Sequence, residues 1–147
     1  MTLDEITAYL HEHMPITRGL GARVAAYDGL SVRLAAPLAP NLNHFGSAYG
    51  GSLSAVAILS GWVLLYLQLR ERGIANRVVI QRSALDFASP VDGDFTATSV
   101  LPPPAAWDRF LATLARHHAA RVTVSTTLAC ASGVGGRHEG TYVATRL

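Results

Sequence analysis

Lysine is absent from this 147-residue sequence, cysteine occurs once, and only 15% of the residues are charged. The lone Cys130 excludes an internal disulfide and any paired-cysteine metal or redox motif. All twelve basic residues are arginines, and they lie scattered rather than in the clustered stripe that a nucleic-acid-binding surface usually shows. We therefore expect no nucleic-acid partner, no metal site and no bound cofactor.

A basic leader is also missing. The first residues, Met1 to Glu5, carry acids where a secretory signal carries basic residues followed by an apolar stretch, which favours a cytoplasmic location. Disorder is excluded because half of the residues are hydrophobic and the net charge is only +2. The length predicts a single domain over residues 1–147, and the apolar composition predicts that part of the surface is buried in an oligomer.

One long stretch, from Phe45 to Leu69, contains no charged residue. A membrane-spanning helix needs roughly 20 mostly apolar residues. Here the apolar part, Leu53–Leu67, is shorter than that and follows a segment rich in glycine and serine. A helix that is hydrophobic on all sides also suits the middle of a folded core. We therefore expect a buried helix and no membrane partner.

Local patterns divide the chain into helices and strands. Thr2 with Glu5 has the spacing of a capping box and predicts a first helix that Pro15 ends. Asp28-Gly29 between alternating residues predicts a β-hairpin, and Gly73 predicts the end of a long helix. The predicted elements are a helix from residue 3, strands at 18–27 and 30–36, a helix from 50 to 73, strands at 77–87 and 94–101, a helix from 104, a strand at 120–129, a loose turn at 133–136 and a strand at 140–147.

The short turns between the later strands favour antiparallel pairing. This order of elements predicts an α+β fold in which an antiparallel sheet wraps one long central helix. One sheet of six short strands is too small to cover that helix on all sides. Two copies joined edge to edge would cover both helices, so we expect a homodimer or a dimer of dimers.

Several familiar catalytic motifs can be set aside. His11-Glu12-His13 is not a zinc-protease motif, because position 15 is proline and residues two apart on a helix do not share a face. The sequence has no nucleophile elbow of the G-x-S-x-G type. Gly133–Gly136 lacks the lysine of a phosphate-binding loop, so we interpret it as a turn.

One constellation remains, the segment Asn43–Ser54, which leads directly into the long helix. The first turn of a helix leaves backbone N–H groups without partners, and the helix dipole adds about half a positive charge there. Gly50 and Gly51 let a ligand carbonyl approach this backbone, and such donors stabilise the oxyanion of acyl transfer. The other interpretation is that the two glycines only turn the loop into the helix.

The pattern Asn43-x-x-Gly46-x-x-Tyr49-Gly50-Gly51 resembles the N-x-x-G-x-x-H-G-G signature of hotdog-fold acyl-CoA thioesterases, with tyrosine at the histidine position. The run Gly46–Leu67 is more similar to the YiiD C-terminal type of thioesterase domain. Later segments that fit this type are Asp86–Val91, Gly93–Phe95, Arg121–Val124 and Gly140–Ala144. The resemblance implies a single hotdog domain that dimerises. It also implies an active site between the helix N-terminus of one subunit and a strand of its partner.

The resemblance further implies a thioester hydrolase that acts on acyl-CoA or on an acyl-carrier protein. Gly51 would donate its backbone N–H, Asn43 and Tyr49 would polarise and position the thioester, and Asp86 is the carboxylate available as a base. The residues expected to contact the substrate are Gly46, Gly50, Ser52, Ser54 and Ser83.

The sequence departs from the family pattern at one catalytic position. The better-known thioesterases carry a carboxylate nine residues after the motif histidine, and this position is Ile58 here. No carboxylate lies between Phe45 and Arg70. Either another group activates water, or the chain binds acyl thioesters without cleaving them; a hydratase or dehydratase acting on the same thioesters is a third alternative. Asp86 itself has the alternative role of an ordinary acid at a strand end.

Overall fold

The computed structural model describes residues 1–147. The chain forms four helices, one short 3₁₀ turn and six strands. In chain order these are α1 (Leu3–His13), α2 (Ile16–Gly19), β1 (Arg23–Tyr27), β2 (Ser31–Ala36), the 3₁₀ turn (Ala39–Asn41), α3 (Gly50–Glu71), β3 (Asn76–Phe87), β4 (Phe95–Val100), α4 (Pro104–His117), β5 (Ala119–Cys130) and β6 (Gly133–Arg146). The predicted α+β class is confirmed.

All six strands form one antiparallel sheet in the order β1-β2-β4-β5-β6-β3. The predicted hairpin joins β1 to β2, and the Asp28 carboxylate stabilises its turn by accepting the N–H groups of Leu30 and Ser31 at 2.9 and 2.7 Å. These hydrogen bonds also lower the pKa of Asp28. Because β1 and β3 stand at the two ends of the strand order, they are the free edges of the sheet.

Two predicted boundaries near the N-terminus have different outcomes. The capping box of α1 is confirmed, because Thr2 Oγ1 accepts the Glu5 N–H and Glu5 accepts the Thr2 N–H. The strand predicted from residue 18 was placed too early, since Ile16–Gly19 forms the helical turn α2 and β1 begins at Arg23. Pro15 adopts a helical backbone immediately before α2, and the fixed φ of proline suits the start of such a turn.

The prediction of a loose turn at 133–136 was wrong, because β6 begins at Gly133 and the turn lies at residues 131–132. The glycines serve close packing instead. A Cβ at Gly135 would overlap Val91, and a Cβ at Gly136 would lie 3.0 Å from the carbonyl oxygen of Asp86. The absence of side chains therefore lets β6 approach β3 and the segment that follows it.

The helix α3 lies against one face of the sheet and forms the centre of the hydrophobic core. Gly61 of α3 packs against Tyr142 of β6, whose hydroxyl donates a 2.8 Å hydrogen bond to the Ile58 carbonyl. With a mean hydropathy of 1.7, α3 is long and apolar enough to cross a bilayer, but 67% of its most apolar window is buried inside this domain. Burial in the core accounts for its composition.

The edge strand β3 is the least covered part of the sheet. Val78 is its only buried residue, and Val79 and Phe87 are 52% and 60% exposed. The opposite edge, β1, has only five residues and is backed by α1. A long, exposed edge strand with apolar side chains is a ready template for pairing with another chain.

Candidate active site

The loop that leads into α3 is held in shape by Asn43. Its Oδ1 accepts the N–H groups of Phe45 at 2.8 Å and Ser47 at 3.1 Å, and its Nδ2 donates to the Ser47 hydroxyl at 2.9 Å. Gly46 sits between them with a φ of +83°, a left-handed conformation that glycine adopts without steric cost. Asn43 therefore positions the loop, and its side-chain oxygen is already occupied by two donors.

A second asparagine, which the sequence analysis missed, anchors this loop to the core. The buried Asn41 donates from Nδ2 to the carbonyl oxygens of Leu20 at 2.9 Å and Pro37 at 2.8 Å. Its own carbonyl accepts the Tyr49 N–H at 2.7 Å. Asn41 thus holds the residue before α3 through its backbone and the preceding segments through its side chain. No short-range motif in the sequence marks Asn41.

The first turn of α3 has no cap. Tyr49 occupies the N-cap position without a capping hydrogen bond, and the first bond of the helix runs from the Leu53 N–H to the Tyr49 carbonyl at 3.1 Å. The N–H groups of Gly50, Gly51 and Ser52 have no acceptor within the chain. Three donors at the positive end of a helix dipole are therefore free to bind an oxygen that carries partial negative charge.

Aromatic rings form the walls beside these donors. A Cβ at Gly50 would lie 3.3 Å from the ring of Phe87, and a Cβ at Gly51 would overlap the ring of Tyr49. Both rings are largely exposed, as is Phe45 in the loop. Side chains at these two positions would therefore compete with the rings for the space beside the free N–H groups.

A cavity of about 370 Å³ adjoins this helix start, between the loop, α3 and the end of β3. No carboxylate lines it. Its lining residues are Ser47, Ala48, Gly50, Leu53, Phe87, Ala88, Ser89, Pro90 and Val91. A larger cavity of about 630 Å³ lies between α4 and β5 and contains none of the predicted site residues, so we place the candidate site at the α3 N-terminus.

The predicted polar side chains at the start of α3 are free to contact a ligand. Ser52 and Ser54 are half-buried, the phenol of Tyr49 is exposed, and none of the three hydroxyls forms a hydrogen bond within the chain. Ile58, at the position where better-known relatives have a carboxylate, lines a different cavity of about 480 Å³ between α3 and β3. Eleven of the twelve residues that line it are hydrophobic, which suits an alkyl chain and not an acid.

The two predicted residues on β3 point to opposite faces of the sheet. Ser83 bonds to the buried His138, and Phe87 contacts Gly50, so both side chains lie on the face that carries α3. The strand is regular from Ser83 to Phe87, and side chains alternate between faces. Asp86 therefore points to the outer face, where Arg137 is its register partner. The predicted base does not join Gly51 and Tyr49 in the folded chain.

Sequence reasoning also missed His138, because it began the last strand at residue 140. The imidazole is 1% exposed, its Nε2 lies 2.7 Å from Ser83 Oγ, and its Nδ1 has no hydrogen-bond partner. Burial lowers the pKa of His138, and the neighbouring Glu139 carboxylate opposes that shift. Alternation along β6 would have shown that His138 faces inward, had the strand been extended to its true start.

A known protein family matches nearly the whole chain. Its model, described as "Putative thioesterase (yiiD_Cterm)", aligns with residues 3–146. The chain therefore belongs to this family, and the resemblance carried by the helix-entry motif is confirmed.

Solved structures share the fold over nearly their full length. A protein of unknown function from Chlorobaculum tepidum has a TM-score of 0.91 and 25% identity, with 98% of this chain and 94% of that chain covered. A putative thioesterase from Shewanella oneidensis has a TM-score of 0.87 and 21% identity, with coverage of 97% and 96%. A probable thioesterase from Pseudomonas aeruginosa has a TM-score of 0.84 and 22% identity, with coverage of 100% and 97%. These likenesses confirm the hotdog fold.

Proposed function

Starting from membership of this thioesterase family, we propose that the chain hydrolyses the thioester of acyl-CoA or of an acyl-carrier protein. The observation that carries the proposal is the uncapped start of α3. The N–H groups of Gly50, Gly51 and Ser52 are free there, at the position of the family signature and between two exposed aromatic rings. A helix start that lacks internal partners needs water or a ligand to satisfy it.

In the proposed reaction, the thioester carbonyl oxygen accepts the Gly51 N–H and one neighbouring N–H. Negative charge develops on that oxygen as the tetrahedral intermediate forms, and donors fixed in advance stabilise this charge without reorganising. Asn43 maintains the loop that fixes their direction, while the Tyr49 ring covers one side and its phenol is free to contact the substrate.

The acyl chain is proposed to occupy the apolar cavity between α3 and β3. That cavity has a volume of about 480 Å³ and is lined by residues such as Ile58, Trp62 and Val79. It opens beside the exposed edge of β3, so a second copy that pairs with this edge would cover it. We accordingly propose a homodimer in which the α3 N-terminus of one copy and β3 of the other complete each site. Sedimentation also distinguishes a dimer from a dimer of dimers.

The missing carboxylate favours a second candidate, a domain that binds acyl thioesters without cleaving them. Neither cavity beside β3 is lined by Asp or Glu. Thiol release from a panel of acyl-CoAs of increasing chain length separates the two candidates. Hydrolysis predicts saturable release of free CoA, whereas saturable binding of the same acyl-CoAs without thiol release would contradict the proposal and favour the binding domain.

Sedimentation at micromolar concentration tests the proposed interface. A dimer is expected, because β3 leaves a long edge with exposed apolar side chains unpaired. A monomer that releases thiol at the full rate would contradict the shared site while leaving hydrolysis itself intact.

A further inference from the structure

A serine and a histidine on neighbouring strands form a hydrogen-bonded pair on the face of the sheet that carries α3. Ser83 Oγ on β3 lies 2.7 Å from His138 Nε2 on β6. Ser83 is exposed at the free edge of the sheet, whereas His138 is 1% exposed. An accessible hydroxyl bonded to a buried imidazole is the arrangement by which a base activates a nucleophile.

Three buried hydroxyls, of Ser60, Ser99 and Thr126, form a separate hydrogen-bonded chain on the same face of the sheet. Ser60 donates to the Ala97 carbonyl at 3.1 Å, and Ser99 donates to Ser60 at 2.8 Å. Because the Ser99 hydrogen is used in this way, Thr126 is the donor in its 2.6 Å bond with Ser99. The Thr126 oxygen is therefore left with free acceptor capacity, and Thr126 is the direct register partner of His138.

A base that takes the proton of Ser83 must carry its own hydrogen on Nδ1. In that tautomer Nε2 is free to accept the Ser83 hydrogen across the 2.7 Å contact. Nδ1 is buried and has no partner within hydrogen-bond distance, and an unsatisfied buried polar group calls for an explanation. In the role of a base, Nδ1 keeps its hydrogen while Nε2 takes up and releases the proton of Ser83.

The surroundings keep His138 in the neutral form, which is the form that can accept a proton, although a lowered pKa also makes it a weaker base. Burial lowers its pKa from the usual 6.5, with Glu139 acting weakly in the other direction. Tyr142, the nearest titratable residue on the same face of β6, is buried as well, and burial raises the pKa of its phenol. No acid from α3 faces the pair, since α3 has none before Glu71.

We propose that Ser83 is the nucleophile and His138 the base of the thioester hydrolysis, in place of the helical carboxylate that this chain lacks. The inference rests on the proposed function and its shared site. Phe87, which touches Gly50, is four residues from Ser83, a separation of about 13 Å along a strand. With this separation, we place the oxyanion donors that serve Ser83 at the α3 N-terminus of the second copy.

The reaction takes place in two balanced steps. The Ser83 hydroxyl transfers its proton to His138 Nε2 as Oγ bonds to the carbonyl carbon; the carbon–sulfur bond then breaks, and the leaving thiolate takes that proton. Water next attacks the acyl-serine ester and gives a proton to His138. The ester bond breaks, and Ser83 Oγ recovers the proton from His138 as the carboxylic acid leaves and ionises.

A fluorophosphonate probe tests the pair without relying on acyl-CoA turnover. The probe loses fluoride when an activated serine oxygen attacks its phosphorus, and peptide mass spectrometry locates the label. We expect the wild-type protein to be labelled at Ser83, and His138→Gln to reduce the labelling rate by about 10²–10⁴-fold, the usual contribution of a general base. Ser125→Ala is the matched control, because Ser125 is an exposed strand serine without a hydrogen bond, and its labelling rate should equal that of the wild type.

Acyl-CoA turnover supplies the second arm. If the wild-type protein releases thiol, Ser83→Ala should lose at least about 10²-fold in kcat, and this exposed position leaves folding intact even if His138→Gln does not fold. Thiol release by Ser83→Ala within threefold of wild type, or labelling of serines other than Ser83, would overturn the inference and leave the proposed hydrolysis standing. If the wild type releases no thiol, the proposed hydrolysis is wrong, and the labelling experiment still decides whether Ser83 is activated.

Discussion

The two ends of α3 are completed in opposite ways. At the C-terminal end, the Gly73 N–H donates to the Arg70 carbonyl at 3.0 Å and the Ile74 N–H to the Leu69 carbonyl at 3.0 Å. Gly73 has a φ of +67°, so these bonds form a Schellman motif. Arg72 adds a side-chain bond to the Gln68 carbonyl at 2.9 Å. The chain thus satisfies this end by itself.

The N-terminal end has none of these features, although the same chain builds a complete capping box on α1 from Thr2 and Glu5. The helix α4 also begins without a side-chain cap, but Pro104 at its first position has no N–H to satisfy, whereas α3 begins with three free N–H groups. An open helix start is costly unless something other than the protein satisfies it, and the exposed rings of Tyr49 and Phe87 beside it add apolar surface. The difference between the two ends locates the place where a ligand is expected.

Among changes at the two ends of α3, the largest expected effect comes from Gly51→Ala. The new methyl group would displace the Tyr49 ring and crowd the path of the thioester carbonyl. Alanine keeps the backbone N–H, but a carbonyl that cannot reach it loses one oxyanion donor, which costs about 10²–10³-fold in kcat. The melting temperature should stay the same or rise, since alanine favours a helix over glycine. Turnover by the folded variant at the wild-type rate would contradict the oxyanion assignment.

Gly73→Ala is the matched control at the closed end of the same helix. Nothing lies within 4 Å of the added Cβ, but φ is positive, so the variant should lose about 1–2 kcal/mol of unfolding free energy from backbone strain. Its turnover should match that of the wild type at a temperature where both are folded. A loss of turnover comparable to that of Gly51→Ala would mean that the two ends do not differ in function.

Closing the open end is the next test. Tyr49→Asp places a capping carboxylate at the N-cap of α3, and a cap of this kind stabilises by about 0.5–2 kcal/mol. We expect a more stable protein, measured by denaturant unfolding, with turnover reduced because the carboxylate occupies the N–H groups and repels the oxyanion. Thr2→Ala should show the reverse pattern, with a similar loss of stability and unchanged turnover. Full activity in the capped variant would mean that these N–H groups are not used.

Tyr49→Phe should have the smallest measurable effect. The phenol forms no hydrogen bond within the chain, so folding should not change. If it bonds to the substrate, turnover should fall by the value of one hydrogen bond, about 0.5–1.5 kcal/mol. Asp86→Asn is the control on the outer face and should leave kcat/KM unchanged. A larger loss from Asp86→Asn than from Tyr49→Phe would mean that Asp86 takes part in the reaction, and it would contradict the assignment of the base to His138.

Features that depend on neighbours in the sequence were predictable. The capping box at Thr2, the hairpin at Asp28-Gly29 and the end of α3 at Gly73 are all determined within a few residues, and each was confirmed. The burial of α3 was predictable too, because a helix that is hydrophobic on all sides is buried on all sides.

Features that depend on contacts between distant strands were not predictable. The face on which Asp86 lies follows from a register shift between Ile80 and Arg82, and one extra residue in a strand exchanges its faces. The glycines at 133–136 have the composition of a turn, but their role is set by Val91 and β3. The bond between Ser83 and His138 joins residues 55 positions apart, and no local pattern marks it.

The most direct test of the open helix end as the thioester site follows its backbone amides during ligand binding. Amide NMR spectra would be recorded while a ketone analogue of acyl-CoA, with a methylene in place of the thioester sulfur, is added to the protein. We predict saturable downfield shifts of the amide protons that are largest for Gly50, Gly51 and Ser52, because their N–H groups become donors to the ligand carbonyl. Saturable shifts elsewhere in the protein, with these three resonances unchanged, would contradict the proposed oxyanion site.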